Sequence, residues 1–266
     1  MDPILSLRDV SRDFFTRGRV VRALAGVSLD VGVGEFLTVV GPSGCGKSTL
    51  LNMVSGLLPP SSGQVVYKGA PVHGVNTEIG YVTQADNLYP WRTLVENIEF
   101  PLEVRGVPRA ERRRRARAFI ERVGLGGFED QYPYELSGGM RQRANIIRTL
   151  VYGPAVILMD EPFGPLDAQT RLILHAQLLE LWDAARTTII FITHDLSEAV
   201  ALADRVVVMT ARPGRVKRIC PVPLKRPRDL FHLHDDERFR MTYDTLWDDL
   251  EDEVMKAAET WRRPSA

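Results

Sequence analysis

Between residues 41 and 49 the chain reads GPSGCGKST: a glycine, four residues, then Gly46, Lys47 and Ser48, the spacing of a phosphate-binding loop. Glycines let such a loop curl until successive backbone N–H groups face one anion, and a helix starting just after it adds partial positive charge. Lys47 is placed to reach the β- and γ-phosphates of a nucleotide, and the Ser48 hydroxyl to hold Mg²⁺. Gly41, Pro42, Ser43, Gly44, Cys45, Gly46 and Thr49 complete the expected cradle. Residues 156–161, Val-Ile-Leu-Met-Asp-Glu, set two carboxylates at the end of an apolar run. Asp160 fits a carboxylate that holds Mg²⁺ through water, and Glu161 one that orients or deprotonates the attacking water. His194 and Gln84 close two further apolar runs. A histidine there suits a γ-phosphate contact, and a glutamine amide could touch both metal and water. Taken singly, acids or a histidine after a strand are common in α/β proteins; together with the loop they predict hydrolysis of a nucleoside triphosphate.

These groups need strands to carry them to one edge. Residues 35–40 read as a short buried strand and residues 49–54 as the opening of a helix. Residues 4–10, 20–29 and 34–40 alternate like strands, with Arg17-Gly18-Arg19 as a turn. Shorter strands are expected at 64–67 and 79–82, and continuous apolar runs at 156–159 and 188–192 suit strands covered on both faces of a parallel sheet. From 93 to 150 helical spacing dominates, which predicts a helical insert. After a strand at 205–209 come the turn 212–215, the proline-rich, linker-like segment 221–227, and an acidic amphipathic helix from near Asp236. That helix carries Phe239, Tyr243, Leu246, Leu250 and Val254 on one stripe. The six arginines of 109–117 read as the solvated face of a helix whose apolar side includes Val104, Val107, Phe119, Ile120 and Val123. Cys45 lies beside a helix N-terminus and near Lys47, both of which favour thiolate. Its alkylation is expected to stop turnover and to be slowed by nucleotide.

Bulk properties set limits. The chain has 266 residues, 44% hydrophobic and 26% charged, with formal net charge +0. Nothing in that balance argues for nucleic acid. Two distant cysteines, Cys45 and Cys220, predict neither a disulfide framework nor a zinc site and suit a reducing compartment. The opening MDPILSLRDV has no signal-peptide pattern, and no run nears the ~20 apolar residues of a membrane span.

The run Leu136-Ser137-Gly138-Gly139-Met140-Arg141-Gln142-Arg143 resembles the signature motif of ATP-binding-cassette (ABC) ATPases. With GPSGCGKST, Gln84, MDEPFGPLD and TIIFITHD, the order and spacing are similar to that family over nearly the whole chain. The resemblance implies an α/β fold: an ABC-type nucleotide-binding domain with a phosphate-loop core on a mixed or parallel sheet, an N-terminal antiparallel β subdomain and a helical insert. It implies an ATPase domain over 1–227, with the helical signature subdomain at about 93–150, and a short helical extension over 228–266. It further implies a head-to-tail dimer in which each ATP, with Mg²⁺, lies between one copy's phosphate loop and the Ser137, Gly138, Gly139 and Met140 region of the other. Asp167 would belong to the loop crossing that interface, and Phe14, with Phe15 as the alternative, would stack on adenine.

Tyr132-Pro133, the LSGGM-R-Q-R run, Asp167-Ala168-Gln169-Thr170-Arg171 and Arg226-Pro227-Arg228-Asp229 are similar to importers of the nitrate, sulfonate and taurine group. Met140, Pro165 and Thr149 depart from the usual family residues. The resemblance then implies the ATPase subunit of an importer, peripheral on the cytoplasmic face of the membrane. Its partners would be separate transmembrane permease subunits and, indirectly, a periplasmic or extracellular solute-binding protein, with no nucleic acid. The docking groove would lie near Leu88, Tyr89, Pro90 and Trp91, an apolar patch after Gln84. A soluble cassette ATPase of DNA repair or translation is the alternative.

Overall fold

The computed structural model describes residues 2–16 and 18–262, so Arg17 of the expected turn lies outside them. The chain forms two compact units, one of Met1–Thr77 with Arg186–Ala266 and one of Glu78–Ala185.

The first unit opens with β1 (Leu5–Thr16) and β2 (Arg19–Val31), paired antiparallel. Sequence pattern ends the first strand at residue 10, because Arg12 and Asp13 interrupt the alternation. The pairing runs on because register shifts between Leu7 and Asp13 absorb the mismatch as bulges. Beyond them Arg22 forks onto Asp13 at 2.8 and 2.9 Å. β3 (Phe36–Val40) is buried along its whole length and feeds the phosphate loop, which opens α1 (Lys47–Val54). β4 (Ser62–Tyr67) and β5 (Ala70–Pro71) join the first hairpin in a four-stranded sheet ordered β2-β1-β4-β5.

The second unit begins with β6 (Ile79–Val82). Helices α2 (Leu94–Val104), α3 (Arg109–Arg122) and α4 (Gly138–Leu150) follow, then β7 (Val156–Asp160), parallel to β6, and α5 (Ala168–Ala185). Thr93 and Glu96 start α2 with a reciprocal capping box. Leu94, Ile98 and Leu102 of α2 pack with Ile120 of α3 and Ile147 of α4 in one apolar core. The arginines of α3 divide: Arg109, Arg114, Arg115 and Arg117 are exposed as expected, while Arg112 and Arg113 are half-buried. Arg113 reaches the buried Glu99 at 3.1 Å, while Arg114 and Arg115 pair with Glu111 at 2.8 and 2.6 Å. Val104 ends α2 exposed rather than joining the apolar face.

The chain then returns to the first unit with β8 (Thr188–Ile192), α6 (Leu196–Leu202), β9 (Arg205–Met209), β10 (Val216–Pro221) and α7 (Glu237–Arg262). β8 and β9 flank β3 in parallel, and β10 adds antiparallel to β9, giving the order β10-β9-β3-β8. The proline-rich segment read as a linker is anchored. Arg226 donates to Asp204 at 2.9 Å and to the Leu202 carbonyl at 2.7 Å. Arg228 donates to the carbonyls of Val200, Ala201 and Ala203, neutralising the C-terminal end of α6. On α7, Phe239, Leu246 and Leu250 are buried as their spacing predicts, but the next buried position is Glu253 and Val254 is exposed.

Phe36 and Phe191, both fully buried, meet at 5.9 Å between ring centres and fill the space beside β3. Phe191→Ala should lower the unfolding free energy by about 3–5 kcal/mol, seen as an earlier urea midpoint. An unchanged midpoint would mean that this pair does not hold the sheet that carries the phosphate loop.

Candidate functional site

The phosphate loop starts where β3 ends and closes on the first turn of α1. Gly46 stands at the N-cap with φ 106°, a conformation that suits glycine, and it brings the backbone into the helix without a side-chain cap. The Lys47 side chain folds back into the loop. Its ammonium donates to the carbonyls of Gly41 at 2.8 Å and Pro42 at 3.3 Å, and the residue is only 6% exposed. No acidic side chain pairs with it among the described residues. A buried cation satisfied only by carbonyl oxygens is a place for an anion. Ser43, Gly44 and Ser48 are exposed at the rim, and Thr49 is half-buried.

His194 follows β8, the parallel neighbour of β3, so it stands at the same end of the strands as the phosphate loop. It is exposed, and its place is set by its neighbours. The Thr193 hydroxyl accepts from the Asp195 N–H at 3.0 Å, and Asp195 caps α6 by accepting from the Ser197 and Glu198 N–H groups. Phe14 is half-buried, with the Arg12 guanidinium 4.9 Å from its ring centre. Arg12 is itself held by the Pro59 carbonyl at 2.8 Å. Phe15 is 82% exposed.

In the second unit, β6 and β7 carry Gln84 and the pair Asp160 and Glu161 to their shared C-terminal edge, the end of a parallel sheet where ligands bind. Asp160 and Glu161 are half-buried, and Glu161 has φ 46°, a left-handed turn uncommon for a residue with a Cβ. Such strain gathers at functional sites. Burial, and then the nearby Asp160 carboxylate, push the Tyr81 phenol well above its ordinary range. Gln84 is exposed, but the loop bearing it is held by α4. Asn145 donates to the Thr83 carbonyl at 3.3 Å, Arg141 to the Asp86 carboxylate at 3.0 Å, and Arg148 to the carbonyls of Asp86 and Asn87 at 3.0 and 2.7 Å. From sequence alone these three have no role in holding that loop, although they recur at helical spacing just after the glycine pair.

Ser137 caps α4, its hydroxyl accepting from the Met140 N–H at 3.3 Å. Gly138 is exposed, and a Cβ built on it would meet nothing within 4 Å. Gly139 is half-buried, and the Met140 side chain packs onto the helical core. Asp167 caps α5, accepting from the N–H groups of Gln169 at 3.1 Å and Thr170 at 3.0 Å. The Thr170 hydrogen bonds hold its carboxyl below the usual range.

Two expectations need correction. Cys45 is 1% exposed, and burial pushes its thiol above the ordinary value, outweighing the charge of Lys47. It is therefore a small buried filler of the loop and not a thiolate. Leu88 belongs to the helical core, 7% exposed, so it is not part of a surface patch. What remains outside is Trp91, 71% exposed and 5.4 Å from the Tyr89 ring, with Tyr89 edge-on to Phe100 at 4.8 Å.

Comparison with known proteins decides the family. A family model described as "ABC transporter" matches residues 24–164. This chain belongs to the ABC transporter family. An uncharacterized ABC transporter ATP-binding protein of Methanocaldococcus jannaschii is 48% identical over 95% of this chain and 93% of its own length. The taurine import ATP-binding protein TauB of Roseobacter denitrificans is 40% identical over 96% of this chain and 98% of its own. Among solved structures, an ATP-binding cassette dimer in a post-hydrolysis state bound to ADP and Pi is 31% identical, with TM-score 0.73, covering 83% of this chain and 100% of that one. As an ABC ATPase the chain binds and hydrolyses ATP, with Mg²⁺ as cofactor. The donors present suit that ion: a hydroxyl, an amide oxygen and a carboxylate are hard oxygen ligands. No group of three His, Cys, Asp or Glu among the described residues could hold a metal alone. Mg²⁺ is commonly held by one or two carboxylates together with substrate phosphates.

Native protein at neutral pH should react with a maleimide at Cys45 far more slowly than urea-unfolded protein, by about tenfold or more, since the reactive form is the thiolate. Peptide mapping of the labelled site reads this directly, and equal rates in the two states would contradict the buried thiol.

Proposed function

We propose that this chain is the ATP-hydrolysing subunit of an importer for a small nitrogen- or sulfur-containing solute of the nitrate, sulfonate and taurine kind. It would work peripherally at the cytoplasmic face of a membrane, bound to separate permease subunits and served indirectly by a solute-binding protein. The observation that carries this reading is the likeness to the taurine import protein, which extends over 96% of the chain and so includes the C-terminal helix. No helix among the described residues is long and apolar enough to cross a membrane, so the spanning part would come from the permease. Trp91, with Tyr89 and Phe100 behind it, offers an aromatic contact for that partner.

In this reading the backbone of residues 41–46 and the Lys47 ammonium hold the β- and γ-phosphates, while Phe14 stacks on the adenine. Ser48, Gln84 and Asp160 hold Mg²⁺, whose charge would offset that developing on the phosphate oxygens. Glu161 takes or orients the proton of the attacking water, and His194 touches the γ-phosphate. The Ser137, Gly138 and Gly139 N-terminus of α4, with Met140, and Asp167 serve the nucleotide of a second copy in a head-to-tail dimer. Gly138 supports the dimer because its own chain leaves room for a side chain there. The need for glycine then lies in what approaches from outside. Closing of two copies on ATP and parting after hydrolysis would shift the permease between its two states.

Glu161→Gln should bind ATP normally and lose turnover by about 100-fold or more, the scale of a missing general base, and it should collect as a dimer on size exclusion with ATP. Lys47→Ala should weaken ATP binding itself. Near-normal phosphate release by Glu161→Gln would remove that residue from its role. Reconstitution with the permease subunits should stimulate ATPase activity; stimulation by DNA or ribosomes instead would overturn the importer reading.

A further inference from the structure

The underside of the phosphate loop rests on the turn between β9 and β10. Met209, the last residue of β9, faces Gly41: a Cβ there would lie 3.1 Å from both the Met209 Cβ and its carbonyl oxygen. At Gly214 a Cβ would collide with the Cys45 carbonyl oxygen, so only glycine lets the two backbones touch. Between these contacts, exposed Arg212 places two donors on one acceptor. Its Nε and Nη2 lie 3.2 and 3.1 Å from the Gly44 carbonyl oxygen.

The turn itself is fixed from two sides. Gly214 donates to the Ala23 carbonyl at 2.9 Å and accepts from the Ala25 N–H at 3.0 Å, tying it to β2. On the other side the Ala211 N–H, adjacent to Arg212, donates to Glu253 of α7 at 2.9 Å. Glu253 is 3% exposed and also accepts from Lys256 at 2.8 Å and pairs with Lys217 at 3.2 Å. A continuous line of bonded groups therefore runs from the C-terminal helix, through Ala211 and Arg212, to the carbonyl of a residue in the phosphate loop.

We propose that the turn 210–215 is a positioning element for ATP binding, in which Arg212 fixes the Gly44 carbonyl and α7, through Glu253, sets where Arg212 stands. A loop that binds phosphate by its N–H groups must keep its carbonyl oxygens turned away from the anion. Each peptide unit carries both groups, so pinning the Gly44 carbonyl on a guanidinium also fixes the Cys45 N–H, which donates to the Pro42 carbonyl at 3.2 Å and so holds the curl of the loop. The charged donor strengthens the bond. The C-terminal helix, which contributes no group to the nucleotide, thus acts on the site through one buried carboxylate. The inference rests on residues 41–49 being the nucleotide site.

The test is ATP affinity of the full-length chain, measured with a fluorescent ATP analogue and Mg²⁺, beside the melting temperature without nucleotide. Arg212→Ala should raise Kd about tenfold, equivalent to about 1.4 kcal/mol, with the nucleotide-free melting temperature unchanged. Arg212→Lys should recover part of the loss, since an ammonium can restore one of the two bonds. Glu253→Gln should shift Kd in the same direction by less, and in the double variant it should add nothing to Arg212→Ala, as expected for residues acting in series. An unchanged Kd for Arg212→Ala, or a weakened Kd matched by a fall in melting temperature, would overturn the positioning role. Full additivity would overturn the link to α7. Lys47→Ala separates the two levels: if it binds nucleotide as the wild type does, the phosphate-loop reading has failed and not merely the role of Arg212.

Discussion

Everything at the site follows from one buried charge. Lys47 sits 6% exposed inside a loop of its own backbone, with carbonyl oxygens as its partners. Removing an ammonium from water costs several kcal/mol unless an opposite charge or a full set of acceptors replaces the solvent. Two carbonyls satisfy two of its three N–H donors. The loop is thus held in a conformation that an anion completes, and stability is lent to that conformation by surroundings that bind nothing. β3 is buried from Phe36 to Val40, and Leu24 lies beneath Gly46, where a Cβ would come within 2.7 Å of its side chain. Preorganisation of this kind is what makes backbone N–H groups effective against a developing phosphate charge.

Parallel strands then do the placing. In each unit the polar residues stand where an apolar strand ends: Gln84 after β6, Asp160 and Glu161 after β7, His194 after β8 and the phosphate loop after β3. Because the strands of each unit run parallel, their C-terminal ends share an edge within that unit, and each of these segments begins within a residue or two of its strand. Such short reaches leave little freedom. For the exposed Gln84, helix α4 adds a further restraint by holding its loop through Asn145, Arg141 and Arg148. The helix whose N-terminus presents Ser137 and Gly138 therefore also holds the Gln84 loop, so displacement at one end of α4 is felt at the other.

Much of this was legible in the residues alone. Strands buried on both faces are continuous apolar runs, so β3, β6, β7 and β8 were read to within about a residue or two, the usual uncertainty of element ends, and the phosphate loop's spacing is specific. The failures share a cause: each is a position where a partner distant in sequence decides the outcome. β1 continues past Val10 because β2 and β4 pair with its bulged part. Cys45 has the local signs of a thiolate, a helix start and a lysine, yet burial in the loop outweighs both. Leu88 looks like surface beside Trp91 but is claimed by the helical core. Of the α3 arginines, Arg112 and Arg113 turn from solvent to carboxylates on α2, which helical periodicity of one segment cannot reveal.

The same cause explains the most instructive miss, on α7. Apolar spacing selects Val254 for the buried stripe, yet Val254 is 41% exposed and Glu253 takes the buried place. One residue along a helix is a rotation of about 100°, so the choice between them is a choice of which way the helix faces. An apolar contact at Val254 would fix that rotation only loosely, since apolar surfaces slide past one another at small cost. A carboxylate that must accept from the Ala211 N–H, Lys217 and Lys256 admits one rotation and one height along the axis. Burial raises the carboxyl's proton affinity, but those hydrogen bonds outweigh it and hold the group below its ordinary range, ionised. A buried ion of this kind adds little net stability compared with an apolar residue. What it supplies is register, and in this chain the register it sets is that of the turn on which the phosphate loop lies.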